Sequence, residues 1–362
     1  MSHKISLGGV ACTTKSTILR NLKTHLNVRV HMSDYKELHE EFKFDHRVGS
    51  LLYAAHRFMK QVECDAEKLS FLSLHIYDRH PMEALVYDTI NKKISLEDCR
   101  EIFNHCVNMG FMRNWKSVIV RIKPGTESFV VAMMKRRNNG IDRIDEQYVR
   151  EQDERFGLFA QCIGADEYVM DWSGCVSTQQ KEVEQYIMHK IYKWSTINMS
   201  LYVYEYRMPI ITDKIAGFDL DGTLIETRSG DIYARAAIDW KWKYTTVYQS
   251  FMNLLNDGYT IVIVTNQLGI STGKVSEHEM KKKVQYVCNA LGLPMIVMMA
   301  SKNDKYRKPA TGTMEYLVSR QPNINLNDSF YCGDDVNGTL CSDSGYAKAC
   351  SVKFIYDFDY FQ

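Results

Sequence analysis

Two carboxylates two residues apart, Asp219 and Asp221, follow the apolar run Lys214–Phe218 in the stretch Phe218-Asp219-Leu220-Asp221-Gly222-Thr223. Just past a strand, both can face one reaction centre. The first can attack phosphorus and form an aspartyl-phosphate. The second can protonate the leaving oxygen and then activate the water that clears the intermediate. Gly222 lets the backbone turn sharply. So much negative charge around a phosphate calls for a cation, and magnesium, which prefers oxygen ligands, suits that task. Three later segments supply what is missing. Thr265-Asn266-Gln267 brings a hydroxyl and backbone N–H groups for phosphate oxygens. Lys308, in Tyr306-Arg307-Lys308-Pro309, brings a point charge for the transferring group. Gly333-Asp334-Asp335 brings a carboxylate for the metal.

A second constellation opens the chain. Gly8-Gly9-Val10-Ala11-Cys12-Thr13-Thr14-Lys15-Ser16-Thr17 approximates a P-loop, in which backbone N–H groups and a helix N-terminus cradle phosphates. There the lysine reaches the terminal phosphates and the serine hydroxyl reaches magnesium. Gly9, Thr14, Lys15, Ser16 and Thr17 are the expected ATP-binding residues. Thr14 stands where the pattern has glycine, and a β-branched residue is bulkier where backbone approaches phosphate.

Both constellations need strands that end in loops. Lys4–Leu7 and Lys214–Phe218 read as such strands, in the position where open α/β sheets place their ligands. Between them, Val28–Met32, Leu74–Tyr77, Lys116–Ile122 and Glu167–Asp171 read as strands, and Val48–Val62, Gln147–Ile163 and Gln179–Trp194 as helices. Further on, Val247–Asp257 and Glu277–Leu291 read as helices stopped by Gly258 and Gly292. Thr260–Thr265, Met295–Ala300 and Ser329–Cys332 read as strands. This alternation predicts an α/β protein of two domains, each on a mainly parallel sheet, with a boundary near Ser195–Ser200 that gives domains of residues 1–195 and 196–362.

From Lys214 to Phe361 the chain resembles the 3′-phosphatase domain of polynucleotide kinase 3′-phosphatases, within the haloacid dehalogenase superfamily. The resemblance is carried by Lys214–Ile225, Thr227-Arg228-Ser229-Gly230, Asp239-Trp240, Gly258-Tyr259, Thr265–Ile270, Tyr306–Pro309 and Tyr360-Phe361. It implies that Asp219 is the nucleophile, Asp221 the general acid/base, and Asp334 a metal ligand beside them, with Thr265 and Lys308 on phosphate. Asp335, where that family carries a small residue, is expected to add a second carboxylate near the metal. It further implies a substrate with a DNA 3′-phosphate end and a magnesium cofactor. The loop Arg228–Trp240 is too short to close as a cap, which suits a polymer end. Lys281, Lys282 and Lys283, with Lys302, Lys305 and Arg307, are candidates to grip DNA phosphates, and the first three read equally well as a solvated helix face.

The N-terminal half resembles herpesvirus-type thymidine kinases and related deoxynucleoside kinases. The matching segments are His75-Ile76-Tyr77-Asp78-Arg79-His80-Pro81, and Lys135-Arg136-Arg137 followed by Gly140 and Arg143-Ile144-Asp145. The resemblance implies ATP as phosphoryl donor and a nucleoside, or a polynucleotide 5′-hydroxyl, as acceptor. By position Arg79 would hold the acceptor near the reaction centre, and Arg136 and Arg143 would neutralise charge in the transfer. Asp34 would be the base, and His56 would stand where that family reads the nucleobase. Thymidine-kinase-like folds often dimerise, so a homodimer is expected, and a viral origin.

Composition narrows the class. A chain of 362 residues with a formal charge of +1 has no general basic coat, so contacts to nucleic acid must be local. No segment reads as a signal peptide or a membrane span, and the 10 cysteines contain no CxxC pair, which points away from zinc. Cys332, Cys341 and Cys350 read as reduced thiols of an intracellular protein, in the cytoplasm or nucleus. Two alternatives stay open on the sequence alone: a phosphatase of small nucleotides with a degenerate kinase half, and a structural protein built from decayed enzyme folds.

Overall fold

The computed structural model describes residues 2–24, 28–67, 70–232, 234, 236–335 and 342–362, without the side chain of Phe71. Cys341 lies outside these. The chain divides into two compact units between Met188 and His189.

The N-terminal unit is built on β1 (Lys4–Gly9), β2 (Val28–His31), β3 (Leu74–Asp78), β4 (Trp115–Ile122) and β5 (Asp166–Met170). All pair in parallel, in the order β2-β3-β1-β4-β5. The two central strands β1 and β3 are almost wholly buried, which is why they read as continuous apolar runs rather than alternating ones. Helices Gly49–Ala66 and Glu146–Ile163 start and end close to the predicted limits. The second is capped by the Asp145 carboxylate on the Tyr148 N–H and stopped by Gly164 at φ 64°.

The C-terminal unit carries β6 (Tyr192–Ile197), β7 (Leu201–Tyr206), β8 (Ile215–Phe218), a ribbon of β9 (Ile225–Glu226) and β10 (Lys241–Trp242), then β11 (Thr260–Asn266), β12 (Met295–Ala300), β13 (Phe330–Gly333) and β14 (Lys353–Tyr356). The sheet order is β14-β13-β8-β11-β12-β7-β6. Five strands are parallel, as expected. β7 pairs antiparallel to β12, and β6 antiparallel to β7. This hairpin corrects the predicted boundary. The helix expected over Gln179–Trp194 is Val176–Ile191, and residues 195–200 lie inside the hairpin rather than in a linker. Tyr192–Ile197 is an edge strand of half-buried and exposed positions, too short and irregular a pattern to stand out after the helical stretch before it. The expected short cap is the two-residue ribbon β9–β10 and its loop, held by Asp239, which accepts from the Ser229 N–H and hydroxyl.

Among the described residues, no helix is long and apolar enough to cross a membrane.

Candidate active site

In the C-terminal unit the chemistry gathers at the C-terminal ends of adjacent parallel strands. β8 ends at Phe218, so Asp219 is the first residue beyond it, and its N–H donates to Cys332 O on β13. β11 ends in Thr265-Asn266. The Asn266 side chain donates to Lys308 O and accepts from Lys308 N, which ties the lysine backbone to the end of β11. Lys308 is buried and donates to Asp219 Oδ1 at 2.5 Å, Asp343 Oδ1 at 2.6 Å and the Tyr331 hydroxyl at 2.8 Å. Tyr331 in turn donates to Val264 O. All of its donor capacity is therefore aimed at the reaction centre, which fixes the ammonium more firmly than any single pair.

Carboxylate oxygens of Asp219, Asp334 and Asp343 lie within 4.8 Å of one another. Burial pushes Asp219 up to about 8 against the pull of Lys308, and Asp343 adds to the rise. Asp334 is raised by burial and then by Asp343. Burial opposes the charge of Lys308, but Asp219 and Asp343 hold it above the usual lysine range. Three clustered carboxylates, only two of them paired with Lys308, leave negative charge that a divalent cation with oxygen ligands would relieve, so the residues present fit magnesium. The backbone makes room for this: Gly222 has φ 93°, and a Cβ there would come within 2.3 Å of Asp334 Oδ2.

Two expectations are corrected. Asp335 does not join the acidic cluster. Its carboxylate accepts from the Asp343 and Ser344 N–H groups and caps the helix Ser342–Ala349. The third carboxylate is Asp343, in that helix's first turn, which the sequence reading missed. Its signal was an acidic residue opening the helix after Gly333-Asp334-Asp335, and only the crossover shows which way it points. Asp221 also lies outside the three-carboxylate cluster. It accepts from Lys283 at 2.5 Å and from Gln267 at 2.7 Å, and Gln267 also donates to the buried Thr265 hydroxyl. The run Lys281–Lys283 thus does not act as one uniform face. Lys283 is buried on Asp221, Lys281 pairs with Glu277 over the Trp194 and Tyr202 rings, and Lys282 pairs with Glu279.

The N-terminal unit holds a cavity of about 780 Å³ at the ends of β1 and β3. Thr14, Lys15, Ser16, Thr17, Asp34, Arg79 and Arg143 line it. Thr14 takes φ 57°, the left-handed conformation a glycine would adopt, and its buried hydroxyl has no partner. Lys15 folds back to donate to Val10 O and the Thr13 hydroxyl, and burial, then the charge of Arg79, lowers it to about 7. No carboxylate meets its ammonium directly, so the loop fits an anionic phosphate. Gly9 faces elsewhere: a Cβ on it would lie 2.1 Å from Val120 O, and its N–H donates to Glu83. Arg79, at φ 69°, donates to Gly9 O and the buried Glu83, and its guanidinium stacks over Tyr87 and Phe156. Asp34 caps the helix Tyr35–Phe42 through the Lys36 N–H and accepts from Arg137 at 2.7 Å.

Two further placements differ from expectation. Arg137, not Arg136, lines the cavity, because the last turn of helix Glu127–Arg137 points that residue toward Asp34. His56 does not line the cavity; Tyr53 and Arg57 on the same helix do. Arg57 donates to Asp78 O and Arg79 O, and its second terminal nitrogen is buried without a partner.

Comparison with known proteins agrees with the phosphatase half. The family model described as Polynucleotide kinase 3 phosphatase matches residues 214–361. An uncharacterized 33.9 kDa protein of Lymantria dispar multicapsid nuclear polyhedrosis virus is 41% identical over 211 residues, 58% of this chain and 72% of the viral one. A bifunctional polynucleotide phosphatase/kinase of Schizosaccharomyces pombe is 36% identical over 169 residues, 45% of this chain, and this chain spans 40% of its length. The solved deoxyadenosine kinase of M. mycoides with dATP aligns with 51% of this chain and 99% of its own at 15% identity and TM-score 0.38. The chain belongs to the family of the 33.9 kDa Lymantria dispar virus protein, and its residues 214–361 are a polynucleotide kinase 3 phosphatase domain.

Proposed function

We propose that the C-terminal unit hydrolyses a 3′-phosphate from a DNA end through an aspartyl-phosphate on Asp219. The observation that carries this reading is the gathering of Asp219, Asp334 and Asp343 within 4.8 Å of one another, with buried Lys308 paired to Asp219 and Asp343. Asp219 attacks phosphorus, and the bond to the departing 3′-oxygen breaks. Asp221, held by Lys283 and Gln267, gives that oxygen a proton and then takes one from the water that hydrolyses the acyl phosphate. Lys308 stabilises the negative charge that grows on the transferring group. Asp219, Asp334 and Asp343 would hold magnesium, which supplies charge neutralisation at the phosphate. A polynucleotide end is supported by the short ribbon over the site. Exposed Lys302 and Lys305 precede Lys308, as does Arg307, which has a terminal nitrogen buried without a partner.

The N-terminal unit is read as an ATP-dependent kinase. Its cavity would place ATP phosphates on Lys15, Ser16 and Thr17, and Arg79, Arg137 and Arg143 around the transferring group. Asp34 would accept the proton of a nucleoside or polynucleotide 5′-hydroxyl.

The experiment compares phosphate release from a 3′-phosphorylated oligonucleotide and from free 3′-nucleotides, with magnesium and with EDTA. Magnesium-dependent release from the oligonucleotide is expected. Turnover of free nucleotides alone would refute the DNA-end substrate. Labelled ATP offered with thymidine, other nucleosides and 5′-hydroxyl DNA tests the kinase reading.

A further inference from the structure

Away from both phosphate sites, three metal-ligating side chains from three elements meet at the edge of the N-terminal sheet. His31 ends the edge strand β2, and His75 lies on β3. His31 is paired in register with Tyr77, so positions 31, 75 and 77 share one face of the sheet. Cys64, in the last turn of helix Gly49–Ala66, comes down on that face. The imidazole and thiol donor atoms all lie within 4.8 Å of one another. His31 Nε2 is 2.9 Å from His75 Nδ1, and Cys64 Sγ is 3.4 Å from the same nitrogen.

The protonation of His75 can be read from its other edge. Its Nε2 lies 2.9 Å from Ser70 O, which can only accept, so Nε2 carries the proton and Nδ1 presents a lone pair to His31 and Cys64. A ring N–H donated to a backbone carbonyl is the support that orients a ligating histidine. Tetrahedral zinc, with bonds of about 2.0 Å to nitrogen and about 2.3 Å to sulfur, holds two nitrogens about 3.3 Å apart and nitrogen and sulfur about 3.5 Å apart. The spacing observed is within a few tenths of an ångström of both. The buried Tyr77 hydroxyl on the same face has no hydrogen-bond partner.

We infer that His31, Cys64 and His75 form a zinc site that pins the end of helix Gly49–Ala66 to the β2–β3 edge. One thiolate and two imidazoles select zinc over magnesium, which takes oxygen ligands. On binding, Cys64 releases its thiol proton to solvent, and the two neutral imidazoles bind through lone pairs. A water, or Glu67, which now pairs with Arg29, fills the fourth position. The CxxC spacing absent from the sequence is not needed, because the ligands come from separate elements.

The test uses the full chain. After purification and dialysis without chelator, elemental analysis is expected to find one equivalent of zinc. After chelation, titration with cobalt(II) is expected to give a near-ultraviolet thiolate-to-metal charge-transfer band that saturates at one equivalent. The band should vanish in Cys64→Ser and fall in His31→Asn, while phosphatase activity of the other unit is unchanged. The acidic site has no thiolate and cannot produce this band. Absence of a thiolate band in the folded chain, or a band that persists in Cys64→Ser, overturns the assignment. Should Cys64→Ser fail to fold, His31→Asn, at a half-buried edge position, decides the question by loss or retention of stoichiometric binding.

Discussion

Asp343 and Lys308, 35 residues apart in the chain, meet at 2.6 Å in a buried ion pair. Lys308 thereby bridges the nucleophile candidate Asp219 and a helix that begins seven residues after Asp335. Removing the Asp343 charge would leave the lysine on Asp219 alone and take one oxygen ligand from the magnesium set. Asp343→Asn is expected to lower phosphatase turnover by about 100-fold and to raise the magnesium concentration needed. Asp335→Ala, which removes only a helix cap, is expected to cost about 1 kcal/mol of stability and to change turnover far less. Magnesium titrations of activity and urea denaturation of the two variants check the contrast.

Asp219→Asn should abolish hydrolysis, since an amide cannot form the acyl phosphate. The fold should survive, because Lys308 keeps Asp343 and Tyr331 as partners. Phosphate release and thermal unfolding, measured on the same preparation, check both halves of this expectation. Unchanged hydrolysis would refute the nucleophile assignment.

Gly222 cannot be enlarged without moving Asp334, whose Oδ2 lies 2.3 Å from where a Cβ would stand. The positive φ adds strain of about 1 kcal/mol for an L side chain. Gly222→Ala is expected to fold and to lose at least about 10-fold in turnover, with a weaker magnesium response. A variant with unaltered magnesium dependence would remove Asp334 from the metal set.

Adjacent arginines at the end of helix Glu127–Arg137 should separate cleanly. Arg137 lines the cavity and pairs with Asp34, whereas Arg136 does not line it. Arg137→Ala is expected to reduce ATP-dependent phosphorylation by about 100-fold or more, and Arg136→Ala by no more than a few-fold. Labelled-ATP transfer under saturating acceptor reads the difference.

His80 gives the N-terminal unit an acid sensitivity. Burial lowers it to about 3, while an unfolded histidine titrates near about 6.5. Above that pH both states hold it neutral, and its contribution to stability is fully present. As pH falls from about 6.5 toward about 3, only the unfolded chain takes up the proton, so stability is lost by up to about 1.4 kcal/mol per pH unit from this group. His80→Asn keeps an acceptor for the Met82 N–H, which His80 Nδ1 now caps. Urea midpoints at pH 7, 6 and 5 should fall less steeply in the variant, and equal slopes would contradict the assignment.

Local patterning made much of the architecture legible. The runs at β1, β8, β11 and β12 are apolar because these strands are covered on both faces, and Gly258 and Gly292 mark helix ends because they take a left-handed backbone. Asp219, Thr265, Lys308 and Asp334 could be singled out because each follows an apolar strand closely or lies in a distinctive motif. What local pattern cannot carry is direction across a crossover. Two neighbouring aspartates, Asp334 and Asp335, look alike in sequence. One lies in the acidic cluster and the other caps a helix, whose first turn carries Asp343 on Lys308. The same holds for Arg136 and Arg137, separated by one step of about 100° around a helix, and for His31, Cys64 and His75, which nothing in their spacing connects. Residue type and strand order are written along the chain, but which carboxylate reaches a shared centre depends on helix rotation and strand register, and those are set by packing between segments far apart in sequence.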